Sequence, residues 1–253
     1  MEIELLINHV IEKEASETGP EIRYRQPLIA YTNADNPLFG QLKVLADPFH
    51  VLPSDILPGA QSVVAFFLPF EKYIVDSNLD HRKKPSALWS HAYIVTNQLI
   101  RQITGSLIET LSQHGIHAAT VPPTHNFDPV TLSTPWSHKS AAVIAGLGSF
   151  GLHQMVITDS GCAGRFGSFV IDVKIPPTDF TKKERCRYFN NGTCQECVRS
   201  CPVRALSPEK PLDKQLCWKN LQANAKAYEK IASGVADVCG KCATGPCALS
   251  SGV

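Results

Sequence analysis

Eight cysteines fall within the last third of this 253-residue chain, and they are the residues with the clearest chemical potential. The densest stretch reads Cys194-Gln-Glu-Cys197-Val-Arg-Ser-Cys201-Pro202. This C-x2-C-x3-C-P spacing is the final part of a bacterial two-cluster ferredoxin run. In such a run the first three cysteines hold one [4Fe–4S] cluster, and the cysteine before proline reaches the other. The spacing therefore predicts thiolate ligation of iron–sulfur clusters.

The eight cysteines divide evenly between two clusters, because each [4Fe–4S] cluster needs four thiolate ligands. The crossing rule assigns the first set to Cys186, Cys194, Cys197 and Cys247. It assigns the second set to Cys201, Cys217, Cys239 and Cys242. The run departs from the ferredoxin spacing at its start, since the first cysteine lies eight residues upstream of the next. We expect a longer loop at that corner.

Two other uses of these cysteines are open. Paired C-x2-C motifs also make tetrahedral zinc sites, but zinc does not explain the additional cysteine before proline. Disulfides are expected in oxidising compartments, which the sequence does not indicate. A ninth cysteine, Cys162, stands outside the set. We interpret it as a small apolar residue, with a redox or cofactor-binding role as the alternative.

A glycine-rich turn precedes the cysteines. Gly146-Leu-Gly148-Ser-Phe-Gly151 fits the G-x-G-x-x-G pattern of dinucleotide-binding folds, and Asp172 follows about 20 residues later. That fold requires a strand before the turn and a helix after it, whereas the hydrophobic patterns here predict a helix before and a strand after. We therefore interpret the turn as a tight structural or cofactor-facing turn, with its three glycines as candidate cofactor-binding residues.

The elements that must position these groups are predicted from hydrophobic periodicity. Helices are expected at residues 3–15, 90–114 and 136–145. Strands are expected at residues 28–31, 62–68, 117–121, 154–158 and 167–173. The interleaved helices and strands predict an α/β or α+β domain over residues 1–178. Residues 179–253 are expected to form a ferredoxin-like double [4Fe–4S] domain, joined by a proline-containing linker at 175–183.

Several segments resemble one known family. The glycine turn, Gly167-Ser-Phe-Val-Ile-Asp172, the C-x2-C-x3-C-P run and Leu212-Asp-Lys-Gln-Leu-Cys217 occur in the same order in epoxyqueuosine reductases. Pro53-Ser-Asp-Ile-Leu-Pro-Gly59 resembles the N-terminal region of the same family. The resemblance implies a nitroreductase-like N-terminal domain that binds cobalamin, as in the related reductive dehalogenases. The two clusters would then deliver electrons to the corrinoid, with Tyr93 near it.

The sequence departs from this family at a proton-donating aspartate. The corresponding position is Leu132, and Asp128 lies four residues away. Asp128 and His138 are the remaining catalytic candidates, while His125 and His153 could also donate protons or bind metal. The given sequence also ends soon after Cys247, without the helical-repeat extension that some members use for transfer RNA. We therefore expect no activity on queuosine in transfer RNA.

Composition narrows the partners and the location. A net charge of +1 and a pI near 7.6 argue against a nucleic-acid partner. The N-terminus lacks a secretory signal and no long apolar run is present, so we expect a cytoplasmic protein without membrane contact. The functional prediction is an oxidoreductase that receives electrons from a small donor such as ferredoxin or flavodoxin. The alternative is a non-catalytic electron carrier or corrinoid-handling protein.

Overall fold

The computed structural model describes residues 2–79, 83–179, 183–229 and 234–252. The strands are β1 (Leu28–Asn33), β2 (Ser62–Pro69), β3 (Ala118–Thr120), β4 (Gly148–Phe150), β5 (Val156–Thr158) and β6 (Gly164–Ile171). The helices are α1 (Ile3–Ser16), α2 (Pro37–Leu45), α3 (Pro53–Ile56), α4 (Lys72–Leu79), α5 (Ala87–Ser112), α6 (His138–Ile144), α7 (Arg187–Asn191), α8 (Glu196–Ser200) and α9 (Lys214–Tyr228). A 3₁₀ turn occupies Lys241–Ala243.

Four strands form an antiparallel sheet in the order β1-β2-β6-β3. The central strand β2 is buried at all eight positions, which explains its continuous apolar sequence. β4 and β5 form a separate hairpin. Because every strand pair is antiparallel and the helices pack around the sheet, the α+β alternative of the fold prediction describes the molecule. Its nitroreductase-like character stays a prediction.

Alternate residues of β2 face two different layers, as strand geometry requires. Val64 and Phe66 pack in one cluster with residues of α1 and α5, including Ile11 and Ile103. Ala65 and Phe67 face the other side, where the alanines of α6 approach the sheet. The sheet is therefore covered on both faces, and α5 runs past it toward the cysteine-containing region.

The C-terminal segment is held against the loop between β5 and β6. The backbone N–H of Cys162 donates to the Cys247 carbonyl at 2.9 Å, and Ala163 N–H donates to the Ala248 carbonyl at 3.0 Å. Arg25 Nη1 donates to the Leu249 carbonyl at 2.8 Å. The last cysteine is thus fixed by backbone contacts to the α+β region.

Most sequence-predicted elements are confirmed. The helices at 3–15 and 90–114 correspond to α1 and α5, and the predicted strands at 28–31 and 62–68 correspond to β1 and β2. The helices α2, α3, α4, α7, α8 and α9 and the strand β4 were not predicted. The short helix α7 occupies most of the corner where a longer loop was expected, so that expectation was wrong. Part of the predicted linker, residues 180–182, lies outside the described residues. No helix in the described part of the chain has the length and apolar character needed to cross a membrane.

Candidate functional site

The first predicted set of cysteines surrounds a small cavity beside α7 and α8. Short elements present these side chains: one cysteine immediately precedes α7, one lies in α8, and two lie in loops. All four cysteines of the set line the cavity, together with one cysteine of the other set, Cys242; the four are Cys186, Cys194, Cys197 and Cys247. The structure thus brings together the set that the crossing rule predicts. Iron–sulfur ligation itself stays a prediction.

The second predicted set lines one end of a larger cavity of about 480 Å³. Its thiols come from the end of α8, from α9, from the loop before the 3₁₀ turn and from that turn. The four residues are Cys201, Cys217, Cys239 and Cys242. Cys242 and His153 line both cavities, so these two residues form part of the wall between them.

The pKa values of the thiols indicate whether the cysteines could bind a metal centre. Burial and the neighbouring Cys247 raise the pKa of Cys197 to about 12. Burial and the neighbouring Cys239 raise the pKa of Cys217 to about 11. Four crowded thiols cannot all ionise unless positive charge is placed among them, and metal binding supplies that charge as it releases the protons. The donor sets therefore fit a metal centre bound by thiolates.

Cys247 differs from the other thiols. Its Sγ lies 3.8 Å from Cys162 Sγ and 3.3 Å from His153 Nε2. Hydrogen bonds from Cys162 and His153 lower the pKa of Cys247 to about 5, against the opposing effect of burial. Cys162 is fully buried, as expected for an apolar role, yet its thiol lies within reach of a predicted ligand. These three side chains also lie close enough together to hold a metal ion.

Tyr93 lines the large cavity from α5. Its hydroxyl donates to Asp237 Oδ1 at 2.7 Å, and the other carboxylate oxygen of Asp237 lies 2.9 Å from His125 Nε2. The Arg165 guanidinium lies 4.4 Å above the Tyr93 ring. Burial raises the pKa of Tyr93, so its hydroxyl retains a proton at neutral pH.

The position of the family aspartate faces the same cavity. Leu132, in a left-handed backbone conformation with φ 55°, lines it with an apolar side chain. Asp128 is exposed and turns back on its own loop, where it accepts hydrogen bonds from the backbone N–H groups of Val130 and Thr131. Those bonds, led by the one from Thr131, lower the pKa of Asp128. Asp128 therefore has the environment of a loop-capping carboxylate.

His138 lies beneath the cavity rather than on its described lining. Its Nδ1 lies 2.7 Å from Ser168 Oγ, and its Nε2 lies 3.2 Å from the Pro122 carbonyl. Because a carbonyl only accepts, the ring carries its proton on Nε2. Burial lowers the pKa of His138 to about 4. The ring is therefore neutral and engaged in packing, and its catalytic role stays a prediction.

The three candidate cofactor-binding glycines do not line either described cavity. Gly146 follows α6 with φ 93°, a conformation that glycine adopts without strain. A Cβ atom at Gly148 would lie less than 3.0 Å from the backbone of Ile157, and one at Gly151 would meet the His153 ring. The turn also connects α6 to β4, which is the reverse of the dinucleotide-binding order. The structure gives these glycines backbone roles.

Sequence reasoning did not single out Asp237, Arg165 or Lys139 for the cavity. All three line it, although they come from distant parts of the chain. Each is an isolated charged residue in sequence, and only its burial in the fold marks it. The position of Arg165 near the start of the apolar strand β6 was the one feature of the sequence that could have indicated a role in the cavity.

The chain was compared with known proteins by sequence. No family model matches it. It is 31% identical over 93 residues to an epoxyqueuosine reductase of Yersinia pestis, covering 36% of this chain and 21% of that protein. It is 25% identical over 172 residues to the epoxyqueuosine reductase of Escherichia coli, covering 65% of this chain and 41% of the relative. The matches thus span less than half of these two relatives.

Solved structures extend the similarity over nearly the whole chain. Epoxyqueuosine reductase from Bacillus subtilis matches with a TM-score of 0.61 at 18% identity, covering 98% of this chain and 67% of that one. A catabolic reductive dehalogenase matches with a TM-score of 0.57 at 16% identity, covering 89% of this chain and 30% of that one. The fold is therefore one that these two groups of reductases share. In sequence and fold together, the chain is similar to epoxyqueuosine reductases.

Proposed function

We propose that this chain is an iron–sulfur oxidoreductase in which two [4Fe–4S] clusters pass electrons to a corrinoid cofactor or a substrate in the large cavity. The observation that carries the proposal is the lining of that cavity. The four cysteines of the second set line it, and so do Tyr93 and Leu132 from the α+β region. A redox group at the cysteines would therefore face the space in which an acceptor can bind.

The charges of the cavity favour this use. Its lining contains one carboxylate, that of Asp237, together with the cations Lys139, Arg165, Lys214 and Lys241. Arg165 Nε is buried without a hydrogen-bond partner among the described residues. Such a lining stabilises a negatively charged cluster and offers a donor to an acceptor group on a bound molecule.

A corrinoid, when bound, supplies a cobalt centre that accepts electrons singly and reacts with organic substrates. The large cavity is lined by aromatic side chains that suit contact with a flat macrocycle, namely Trp89, Phe127 and Trp218. Leu132 presents an apolar surface where the related enzymes are expected to place a carboxylate. Tyr93 is then the proton donor that the cavity offers, with Asp237 and half-exposed His125 linking its hydroxyl toward solvent.

The first test is cluster content and cofactor binding. Protein purified and reconstituted without oxygen is expected to be brown, with about eight irons and eight sulfides per chain. Hydroxocobalamin added at micromolar protein is expected to bind and change its absorption spectrum. Leu132→Trp should abolish that change by filling the cavity, whereas Leu45→Trp, at a position 76% exposed on α2, should leave it intact.

The outcomes separate the parts of the proposal. A colourless protein with stoichiometric zinc would contradict the cluster assignment. Full iron content without cobalamin binding would contradict the corrinoid part alone. The alternative of a non-catalytic carrier is favoured by Leu132, and it predicts that chemically reduced clusters pass electrons to an external acceptor but not to bound cobalamin. A ferredoxin or flavodoxin as the natural donor stays a prediction.

A further inference from the structure

The wall between the two cavities contains a histidine that no cluster-binding motif includes. His153 lines both cavities and is only 4% exposed. It lies in the tight turn between β4 and β5, where Gln154 adopts φ 61°. Lys139 Nζ fastens this turn by donating to the Gln154 carbonyl at 2.9 Å. The imidazole is therefore held in place by its own loop.

Hydrogen bonding fixes which nitrogen of His153 carries the proton. The backbone N–H of Met155 donates to His153 Nδ1 at 3.1 Å. Nδ1 must therefore be the unprotonated acceptor, and the neutral ring carries its hydrogen on Nε2. Nε2 lies 3.3 Å from Cys247 Sγ and 3.6 Å from Cys162 Sγ. The only N–H of the ring thus points at a predicted cluster ligand.

The backbone around Cys247 is built to keep this contact. The N–H of Cys162 donates to the Cys247 carbonyl at 2.9 Å, which draws the two cysteines together. Gly161 makes the approach possible, since a Cβ atom there would lie less than 3.0 Å from the Ala248 carbonyl. Its φ of 80° also favours glycine. The contact between His153 and Cys247 is therefore fixed from both sides.

We propose that His153 donates a hydrogen bond to the Cys247 thiolate and thereby raises the reduction potential of the cluster in the small cavity. This inference rests on the proposed function, because it requires a cluster bound by Cys247. Reduction adds one negative charge to a cluster, and a donor aimed at a ligand sulfur stabilises that added charge. Cys162 is the second thiol beside the same sulfur and is not a ligand. His153 acts through Cys247 and is a positioning residue.

The test is a redox titration of the reconstituted protein, followed by the electron paramagnetic resonance signal of each reduced cluster. His153→Phe is expected to shift the oxidised-to-reduced ratio of one cluster about tenfold toward oxidised at a given potential, or about 59 mV for one electron. His153→Gln keeps an N–H donor and should restore part of the shift. His50→Phe replaces another buried histidine, one that packs against Trp136, and should leave both potentials unchanged.

Iron content distinguishes the possible failures. Unchanged potentials in His153→Phe at full iron content would overturn the inference while leaving the proposed function standing. Loss of four irons in both His153 variants would make His153 an assembly residue and would also overturn it. Cys162→Ala is expected to keep all the iron, and a loss of four irons would show that Cys162 is a ligand. A wild-type protein without iron would instead contradict the proposed function.

Discussion

The two cysteine-lined cavities share a wall but are lined by different parts of the chain. The small cavity is formed mostly by residues after Arg185, with a contribution from the loop after β4. The large cavity adds side chains from α5, β6 and the segment before α6 to its four cysteines. A cluster in the small cavity would therefore lie beside Cys242, a predicted ligand of the other cluster. A cluster in the large cavity would lie beside the space where a substrate or cofactor could bind. Under the proposed function, the two cavities would separate electron relay from chemistry.

The charged groups follow the same division. Around the small cavity, Arg187 and Glu196 offer one charge of each sign. Among the described residues that line the large cavity, there are four cations and one carboxylate, that of Asp237. An excess of positive charge suits a site that accepts electrons and binds an acceptor group. The predictions below test whether the two cavities are independent in this way.

The largest expected effect is the loss of one cluster. Cys197→Ala removes a thiolate from the small cavity, and Cys217→Ala removes one from the large cavity. Each variant is expected to retain about four of eight irons, because a [4Fe–4S] cluster needs four thiolates. Iron analysis and electron paramagnetic resonance measure the result. The comparison fails if the two variants retain the same residual spectrum, since the cysteines would then not form two separate sets.

Two glycines, one beside each cavity, are expected to differ in how much their substitution destabilises the protein. Gly240 lies beside Cys239 with φ 71°, and a Cβ atom there would lie less than 3.0 Å from the Trp89 ring. Gly240→Ala is expected to lower the free energy of unfolding by about 2–4 kcal/mol, through backbone strain and overpacking. A Cβ atom at Gly245, beside the small cavity, would lie 3.4 Å from the Glu196 Cβ atom, an ordinary contact distance. Gly245→Ala should therefore change the free energy of unfolding by less than about 1 kcal/mol.

Denaturant unfolding of the reconstituted proteins, in the absence of oxygen, measures both values. Iron content of the two variants provides the second measurement, because Gly240 also positions the loop that carries Cys239. Equal destabilisation by both substitutions would contradict the close contact between Gly240 and the Trp89 ring of α5.

Much of the fold was predictable because it repeats strong local patterns. The continuous apolar run of β2 and the helical periodicity of α1 and α5 reflect burial that each element achieves on its own sequence. The strand order was not predictable, since antiparallel pairing of β2 with β6 joins residues about 100 positions apart. The helix α9 was missed because its exposed face is polar and only Asn224 is buried.

The cysteine sets were predicted on a different basis, and their assignment to two clusters stays a prediction. Four-ligand chemistry and the proline after Cys201 restrict the pairing, and spacing alone then divides the cysteines into sets. No such rule exists for the large cavity, where Tyr93, Arg165 and Asp237 meet only through the fold. The glycine motif is the contrasting case, since a pattern associated with cofactors here meets the packing needs of β4 against β5. Motif rules are most specific where the ligand itself imposes the geometry.

The smallest expected effect is the pH dependence of stability that His138 causes. His138 is buried and is not among the residues that line the large cavity, and burial lowers its pKa from the ordinary 6.5 to about 4. The unfolded chain binds the proton near pH 6.5, while the folded protein resists it until about pH 4. Stability from the neutral ring is therefore present above pH 6.5 and is lost as the pH falls toward 4.

Between pH 7.5 and 5.5, wild type should lose about 1 kcal/mol more unfolding free energy than His138→Gln, which cannot titrate in this range. Denaturant unfolding at the two pH values, on reconstituted protein with equal iron content, measures this difference. Parallel losses in both proteins would show that His138 titrates in the folded state as it does in the unfolded chain. The ring would then be in contact with solvent through the large cavity. His138 would in that case be a candidate proton donor and not a packing residue.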